Sequence, residues 1–284
     1  MPKKTNRRKV NWGEINQQIA EGSKKNYQRN DGYSEHEFKP LIKEDGTHES
    51  IIRLLPRKES DVDQIPYVKL YSHGFKGLGG QWFIENCPTT LDGECPVCKE
   101  NTIAWNAGDQ DTARNRARKQ SFYCNVLVVK DPQTPENNGK VFVFRFGKKV
   151  MEKVMAKLSP AGEIDDPVQV FDYDEGMNFK LKITTGNYRN YDGSEFTGTV
   201  TSVGDDDFIN KIDEQLHSLD PIVAPDKFKD FDTLKETFDK KMGRPVENTP
   251  APVAEEDTSS DSDDTSEDSE EDIFDALRNE AATE

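Results

Sequence analysis

The stretch HGFKGLGGQWFIENCPTTLDGECPVCKE, residues 73 to 100, gathers side chains that bind metals: His73, Cys87 and the C-x-x-C pair Cys95 and Cys98. A C-x-x-C spacing lets two thiolates reach one ion while nearby backbone amides stay free to bond to the sulfurs. One His and three Cys make a closed tetrahedral zinc set. The chain is therefore expected to hold one structural Zn2+ through His73, Cys87, Cys95 and Cys98. Reading the cysteines as ordinary core residues leaves their clustering without a reason. Reading Cys95 and Cys98 as a redox pair leaves the other two ligands unexplained. A catalytic ion fits less well, because zinc deaminases pair a P-C-x-x-C motif with H-x-E. Here Glu94 precedes Cys95, and none of His36, His48, His73 or His217 has Glu two residues later. Four protein ligands also leave no open position for water. The remaining cysteine, Cys124, lies in the apolar run FYCNVLVV and reads as a small core residue.

A second set of residues suits a polyanion with exposed bases. ARNRARKQSFY sets Arg114, Arg116, Arg118 and Lys119 ahead of Phe122 and Tyr123. VFVFRFGKK places Phe142, Phe144 and Phe146 on one strand face, with Arg145, Lys148 and Lys149 nearby. NYRNYDGSEF adds Tyr188, Tyr191 and Phe196, and Trp82 and Phe83 flank the metal stretch. Cations track a phosphate backbone and aromatic faces stack unpaired bases. Alternating Phe residues also suit a strand that faces a core, and an Arg run also suits a solvated face, so both readings of these sets stay open.

The elements that must position these residues are mostly strands. SIIRLLP (50–56), PYVKLYSHGF (66–75), QWFIENC (81–87), SFYCNVLVVK (121–130), KVFVFRFG (140–147) and NFKLKIT (178–184) read as strands, with a loop at KDPQTPENNGK. KKVMEKVMAKLS (148–159) reads as an amphipathic helix with Val150, Val154 and Leu158 on one face, and 227–243 as another helix. Weaker helical signals lie around Ile103 to Trp105 and through Trp12, Ile15 and Ile19. The expected fold is mainly β with some helices. Aromatic strands beside basic loops suit an OB-fold core with an inserted zinc-binding subdomain.

Charge divides the 284-residue chain. Its net −16 is concentrated in residues 247–284, which carry fifteen acidic residues and only Arg278 as a cation. The first ten residues carry five cations, Lys3, Lys4, Arg7, Arg8 and Lys9, and no acid. The expected layout is a basic N-terminal arm (1–25), a core (26–246) with the zinc subdomain at about 70–115, and a disordered acidic C-terminal tail (247–284). Within the tail, Ile273, Phe274 and Leu277 fall on one side of a short helix and suit docking to a partner. MPKKTNRRKV has no apolar segment after its charges and so does not read as a signal peptide, and no apolar run is long enough to span a bilayer. There is no P-loop, and the chain does not read as an enzyme.

Together, IIRLLP, HGF with WFIENC, CPVC, NVLVVKDPQTPENNGKVFVFRFGKK and NYD resemble the single-stranded DNA-binding (helix-destabilising) proteins of T-even-type bacteriophages, over most of residues 50 to 245. The resemblance implies an OB-fold with an inserted zinc subdomain, whose ligands fall on His73, Cys87, Cys95 and Cys98. It also implies a DNA cleft lined by Arg118, Lys119, Phe122, Tyr123, Phe144, Phe146 and Tyr191. In that family the basic arm drives self-association along DNA. The acidic tail contacts phage DNA polymerase, helicase-loading and recombination proteins. The expected function is sequence-independent coating of single-stranded DNA during viral DNA replication, recombination and repair, in the cytoplasm of the infected host. The alternative is a zinc-containing RNA-binding translational regulator.

Overall fold

The computed structural model of the chain describes residues 11–14, 17, 36–162, 165–186 and 189–245. These form two compact units. The first takes the chain up to Tyr71 and again over Gln120–Phe228; the second takes Ser72–Lys119 and the chain from Lys229. The strands are β1 (Thr47–Leu54), β2 (Tyr67–Lys76), β3 (Trp82–Asn86), β4 (Lys119–Lys130), β5 (Val141–Phe146), β6 (Met177–Thr185), β7 (Arg189–Asn190) and β8 (Glu195–Val200). The α-helices are α1 (Pro96–Asn106), α2 (Gln110–Arg116), α3 (Lys148–Leu158), α4 (Asp206–Glu214) and α5 (Phe231–Met242).

In the first unit, β1 lies between β4 and β6, antiparallel to both. β5 extends β4, and β7 and β8 extend β6. β4 reads as a continuous apolar run because both of its faces are covered. Phe122, Cys124 and Val126 face one core, opposite Phe146, Phe144 and Phe142 of β5. Ile52, Phe179 and Leu181 join them, and α3 closes that core with Val150, Val154 and Leu158, the face expected from its 3.6-residue period. The intervening residue Leu127, opposite Val141, faces a second core with Leu55, Tyr173 and Ile209 and Ile212 of α4.

This packing corrects one expectation. Phe122, Phe144 and Phe146 are 5, 1 and 3 % exposed, and their rings stack on one another with centroids 5.5–5.7 Å apart. They are core residues rather than an open stacking surface. Cys124 is buried as expected, and burial pushes its thiol pKa up.

The second unit holds the end of β2, where Ser72–Lys76 pair with Trp82–Asn86 of β3. Its apolar centre is a triad of rings. Phe75 and Phe83 stack across the hairpin at 4.9 Å, and Phe238 of α5 meets both edge-on at 5.8–6.2 Å. Asp230 caps α5 by accepting from Thr233 N, and Gly243 ends it in the left-handed conformation (φ 68°). Gly77, just after β2, lies against the C-terminal end of α5. A Cβ there would fall 2.3 Å from the Lys241 carbonyl oxygen.

The expected strands and the helices at 148–159 and 227–243 are present within a few residues of their anticipated ends. α2, α4, β7 and β8 were not anticipated. α2 buries only Ala113, so it has no apolar period to read. α4 does have a signal: Asp205 accepts from Phe208 N at its N-terminus, and Ile209 and Ile212 follow on one face. The acidic run around it masks that pattern. Ile15, Ile19, the arm residues Lys3, Lys4, Arg7, Arg8 and Lys9, and the tail residues Ile273, Phe274 and Leu277 lie outside the described residues.

Gly77→Ala should destabilise the second unit by about 1–3 kcal/mol, because backbone must move to admit the methyl group. Gly198→Ala, with no atom within 4 Å of the added carbon, should change stability by less than about 0.5 kcal/mol. Denaturant unfolding followed by near-UV circular dichroism distinguishes the two. Equal stabilities would contradict the close approach at Gly77.

Candidate metal centre and nucleic-acid interface

Four pieces of local structure bring the metal-binding residues together. His73 sits on β2 opposite Glu85 of β3. Cys87 follows β3 and starts a 3-10 turn, Pro88–Leu91. Cys95 is the N-cap of α1 with Pro96 after it, and Cys98 lies in the first helical turn. Pro at the first helical position costs no hydrogen bond and presets the backbone. The knuckle thus sets two of the sulfurs at the N-terminal end of α1.

His73, Cys87, Cys95 and Cys98 are all buried, and their ligand atoms lie within 4.8 Å of one another. Cys87 Sγ is 3.6 Å from Cys98 Sγ, and His73 Nε2 is 3.4 Å from Cys95 Sγ and 3.6 Å from Cys98 Sγ. A tetrahedral ion with sulfur at about 2.3 Å and nitrogen at about 2.0–2.1 Å has edges of roughly 3.8 Å and 3.6 Å. These contacts come within a few tenths of an ångström of those edges, so the cluster could hold a metal ion.

Hydrogen bonding orients the imidazole. His73 Nδ1 is 2.9 Å from the Arg116 carbonyl, which only accepts, so Nδ1 carries the hydrogen and Nε2 faces the thiols. Burial pulls the His73 pKa down, but hydrogen bonds to Cys87 and Cys95, and their charge, outweigh it and hold the pKa up at about 9. Hydrogen bonds from Cys95 and Cys98 hold Cys87 far below the ordinary thiol range. The reciprocal contacts with Cys87 and Cys95, with burial, push Cys98 far above it. Metal-free, the cluster thus shares protons that a metal must displace.

The cationic residues expected to meet a polyanion divide between the units. In the second unit, Arg114 lies over Trp105 at 5.9 Å and Arg116 over Phe238 at 5.7 Å. Burial, then the charge of Arg244, lowers the Arg116 pKa. Arg118 Nη1 donates to Thr89 Oγ1 at 2.8 Å, and Lys119 is exposed. In the first unit, Tyr123 is 2 % exposed and faces Arg145, whose guanidinium lies 5.8 Å from the ring centre. Lys148 pairs with Glu152 at 3.4 Å and Lys149 with Asp192 at 3.0 Å, while Tyr191 is half-buried against the core. Such exposed ion pairs are worth about 1 kcal/mol or less, so a phosphate can replace them.

Among the cation–aromatic pairs not anticipated from the sequence, two join a lysine of β2 to an aromatic ring of β2 or β3. Lys76 lies 5.5 Å from the ring of Trp82, which is 55 % exposed, and Lys69 lies 5.0 Å from Tyr71. Lys76 and Trp82 are cross-strand neighbours, visible only once the register is known. Lys69 and Tyr71 are two apart on one strand face, a spacing the sequence does display.

Over residues 46–242 the chain matches the family model described as gp32 DNA binding protein like. It belongs to this family. Its relatives include the single-stranded DNA-binding protein of Enterobacteria phage T2, 37 % identical over 215 residues, covering 73 % of this chain and 70 % of that protein. The single-stranded DNA-binding protein of Enterobacteria phage T4 is 36 % identical over 228 residues, covering 76 % and 74 %. The resemblance read from CPVC and the NVLVVKDPQTPENNGK run therefore holds. The gp32-like span opens one residue before β1 and closes with the last residue of α5. It thus includes every strand of the first unit and the whole metal cluster.

Metal added to chelated protein at pH 7 should release protons from His73 and Cys98, and affinity should fall as pH drops, since both must be deprotonated to ligate. A pH-indicator titration in weak buffer reads this directly. Cys95→Ser should lose the metal and Cys124→Ser should keep it, as measured by bound-metal analysis after dialysis. Full occupancy in Cys95→Ser would overturn the ligand set.

Proposed function

We propose that this chain binds single-stranded DNA without regard to sequence, through an OB-fold core and a unit held together by one structural Zn2+. The observation that carries the reading is gp32-like family membership over nearly all of the described elements. The continuous antiparallel order β5-β4-β1-β6-β8 supports a five-stranded OB-type core. The closed His/Cys3 donor set, with no carboxylate among its ligands, favours zinc in a structural role. Binding alone accounts for the activity: coating a strand removes hairpins by mass action, and no reaction is required.

The phosphate contacts fall to Arg114, Arg116, Arg118 and Lys119 in one unit and to Arg145, Lys148 and Lys149 in the other. For base stacking, the aromatics that keep an exposed face beside a cation, Tyr71, Trp82 and Trp105, are better placed than the buried Phe122, Phe144 and Phe146. Tyr191, half-buried at the edge of the core, serves beside them, whereas Tyr123, only 2 % exposed, is set aside with the buried phenylalanines. The chain acts in viral DNA replication, recombination and repair in the host cytoplasm. Lys3, Lys4, Arg7, Arg8 and Lys9 of the arm join neighbouring copies along DNA. Ile273, Phe274 and Leu277 of the acidic tail recruit the polymerase, helicase-loading and recombination proteins.

The test is a salt titration of binding to poly(dT), to the matching RNA and to duplex DNA. Binding should be tightest for poly(dT). Lys119→Ala with Lys149→Ala should reduce the slope of log affinity against log salt by about 0.7 for each phosphate no longer neutralised. Trp82→Ala should weaken binding by roughly 1–3 kcal/mol with the slope unchanged. Tighter binding to RNA would favour the translational regulator, and identical behaviour of the two mutant classes would overturn the division into phosphate and base contacts.

A further inference from the structure

Two contacts run from the metal cluster to the same short stretch of chain. His73 Nδ1 donates to the carbonyl of Arg116. Thr89 Oγ1 lies 3.1 Å from Cys87 Sγ and accepts from Arg118 Nη1 at 2.8 Å. Either sulfur or oxygen could donate in the first of the Thr89 contacts, but a metal-bound thiolate carries no proton. With metal bound, Thr89 therefore donates its hydroxyl hydrogen to Cys87 Sγ and keeps an oxygen lone pair for the guanidinium. The link has a fixed polarity, from guanidinium to hydroxyl to thiolate, and each step polarises the next.

Charge strengthens it. Three thiolates and a neutral imidazole around a divalent ion leave one net negative charge in a buried site, and Arg118 is the cation bound to it through Thr89. The anchored residues bracket Ala117, where α2 ends and the backbone turns extended (φ −53°, ψ 142°) to enter β4. Both anchors thus hold the stretch at the point where helix passes into strand, directly before the exposed Lys119.

We infer that Thr89 is a positioning residue that couples the metal-bound Cys87 thiolate to Arg118, so that metal occupancy fixes the Arg116–Lys119 stretch in the conformation that meets a phosphate backbone. The nucleic-acid half of this inference rests on the function proposed above; the link from Thr89 to thiolate and guanidinium does not.

The experiment uses the full chain loaded with Co2+, which reports on thiolate ligation through its charge-transfer band. Thr89→Val keeps the side-chain shape and removes the hydroxyl; Thr89→Ser restores it. Thr89→Val should still bind one Co2+ per chain, with its band shifted to longer wavelength because the sulfur has lost a hydrogen bond. Amide exchange at Arg118 and Lys119 should speed up, and affinity for oligo(dT) at low salt should fall roughly 3- to 10-fold, the scale of one hydrogen bond. Thr89→Ser should return all three readouts toward wild type. Arg118→Ala should cost a similar factor, and the double variant no more than Arg118→Ala alone. An unshifted band with unchanged exchange in Thr89→Val would overturn the link. A shifted band with additive decreases in affinity would overturn the positioning role. A shifted band and faster exchange, in a protein that binds no oligo(dT) even as wild type, would leave the link standing and overturn the proposed function instead.

Discussion

Four ligand atoms buried within 4.8 Å of one another cannot all be free of protons unless a cation sits among them. The second unit is organised around that constraint. It has about 65 described residues and an apolar centre built mainly on Phe75, Phe83 and Phe238. A unit of this size buries too little surface to fix its loops unaided, and a metal commonly supplies the difference. The hairpin contributes His73, the turn after it Cys87, and the start of α1 both Cys95 and Cys98. The path of the chain from β2 to α1 is therefore set by where these donors must converge.

The first unit manages its charges differently. Arg53 is fully buried and donates from Nη2 to the carbonyls of Asp172, Tyr173 and Thr201. Burial lowers its pKa to about 10, so it stays charged at neutral pH. Arg57, also buried, is neutralised by Asp61 and Asp220. Arg57 is thus paired inside the unit, and Arg53 is held by carbonyls through Nη2 alone, its buried Nε and Nη1 without a hydrogen-bond partner among the described residues. The cations open to a polyanion are those at the surface, such as Lys148 and Lys149, whose acidic partners are themselves exposed.

The His/Cys cluster that could hold a metal was legible in the sequence because C-x-x-C is a local spacing with a direct geometric meaning. The residues that orient the donors were not. Thr89 is an ordinary residue of a turn, and the Arg116 carbonyl belongs to no side-chain pattern at all. The strands were legible from their β-branched and aromatic content, yet alternation alone could not say which side of β5 is covered. Phe142, Phe144 and Phe146 share a face, as their spacing implies, but side chains of α3, β1 and β6 pack into the core on that face, which is a fact of tertiary packing. Helix α5 was visible as a helix, while its membership of the metal-binding unit was not, because nothing in KFKDFDTLKETFDKKMG names the two phenylalanines that Phe238 will meet.

That membership has a consequence for how the protein is made. The metal donors and the stretch they anchor are complete by Lys119, but the helix that finishes their unit starts at Phe231, after the whole second part of the first unit has been translated. At roughly 5–20 residues per second, a ribosome needs about 5–20 seconds to cover that gap. Throughout it, Phe75 and Phe83 wait without Phe238, with only the hairpin and any captured ion to hold them. If the cluster takes up an ion, scarcity of metal during synthesis would act on a nascent chain with exposed aromatic surface, and would show as misfolding or aggregation of newly made protein before it weakened the finished molecule.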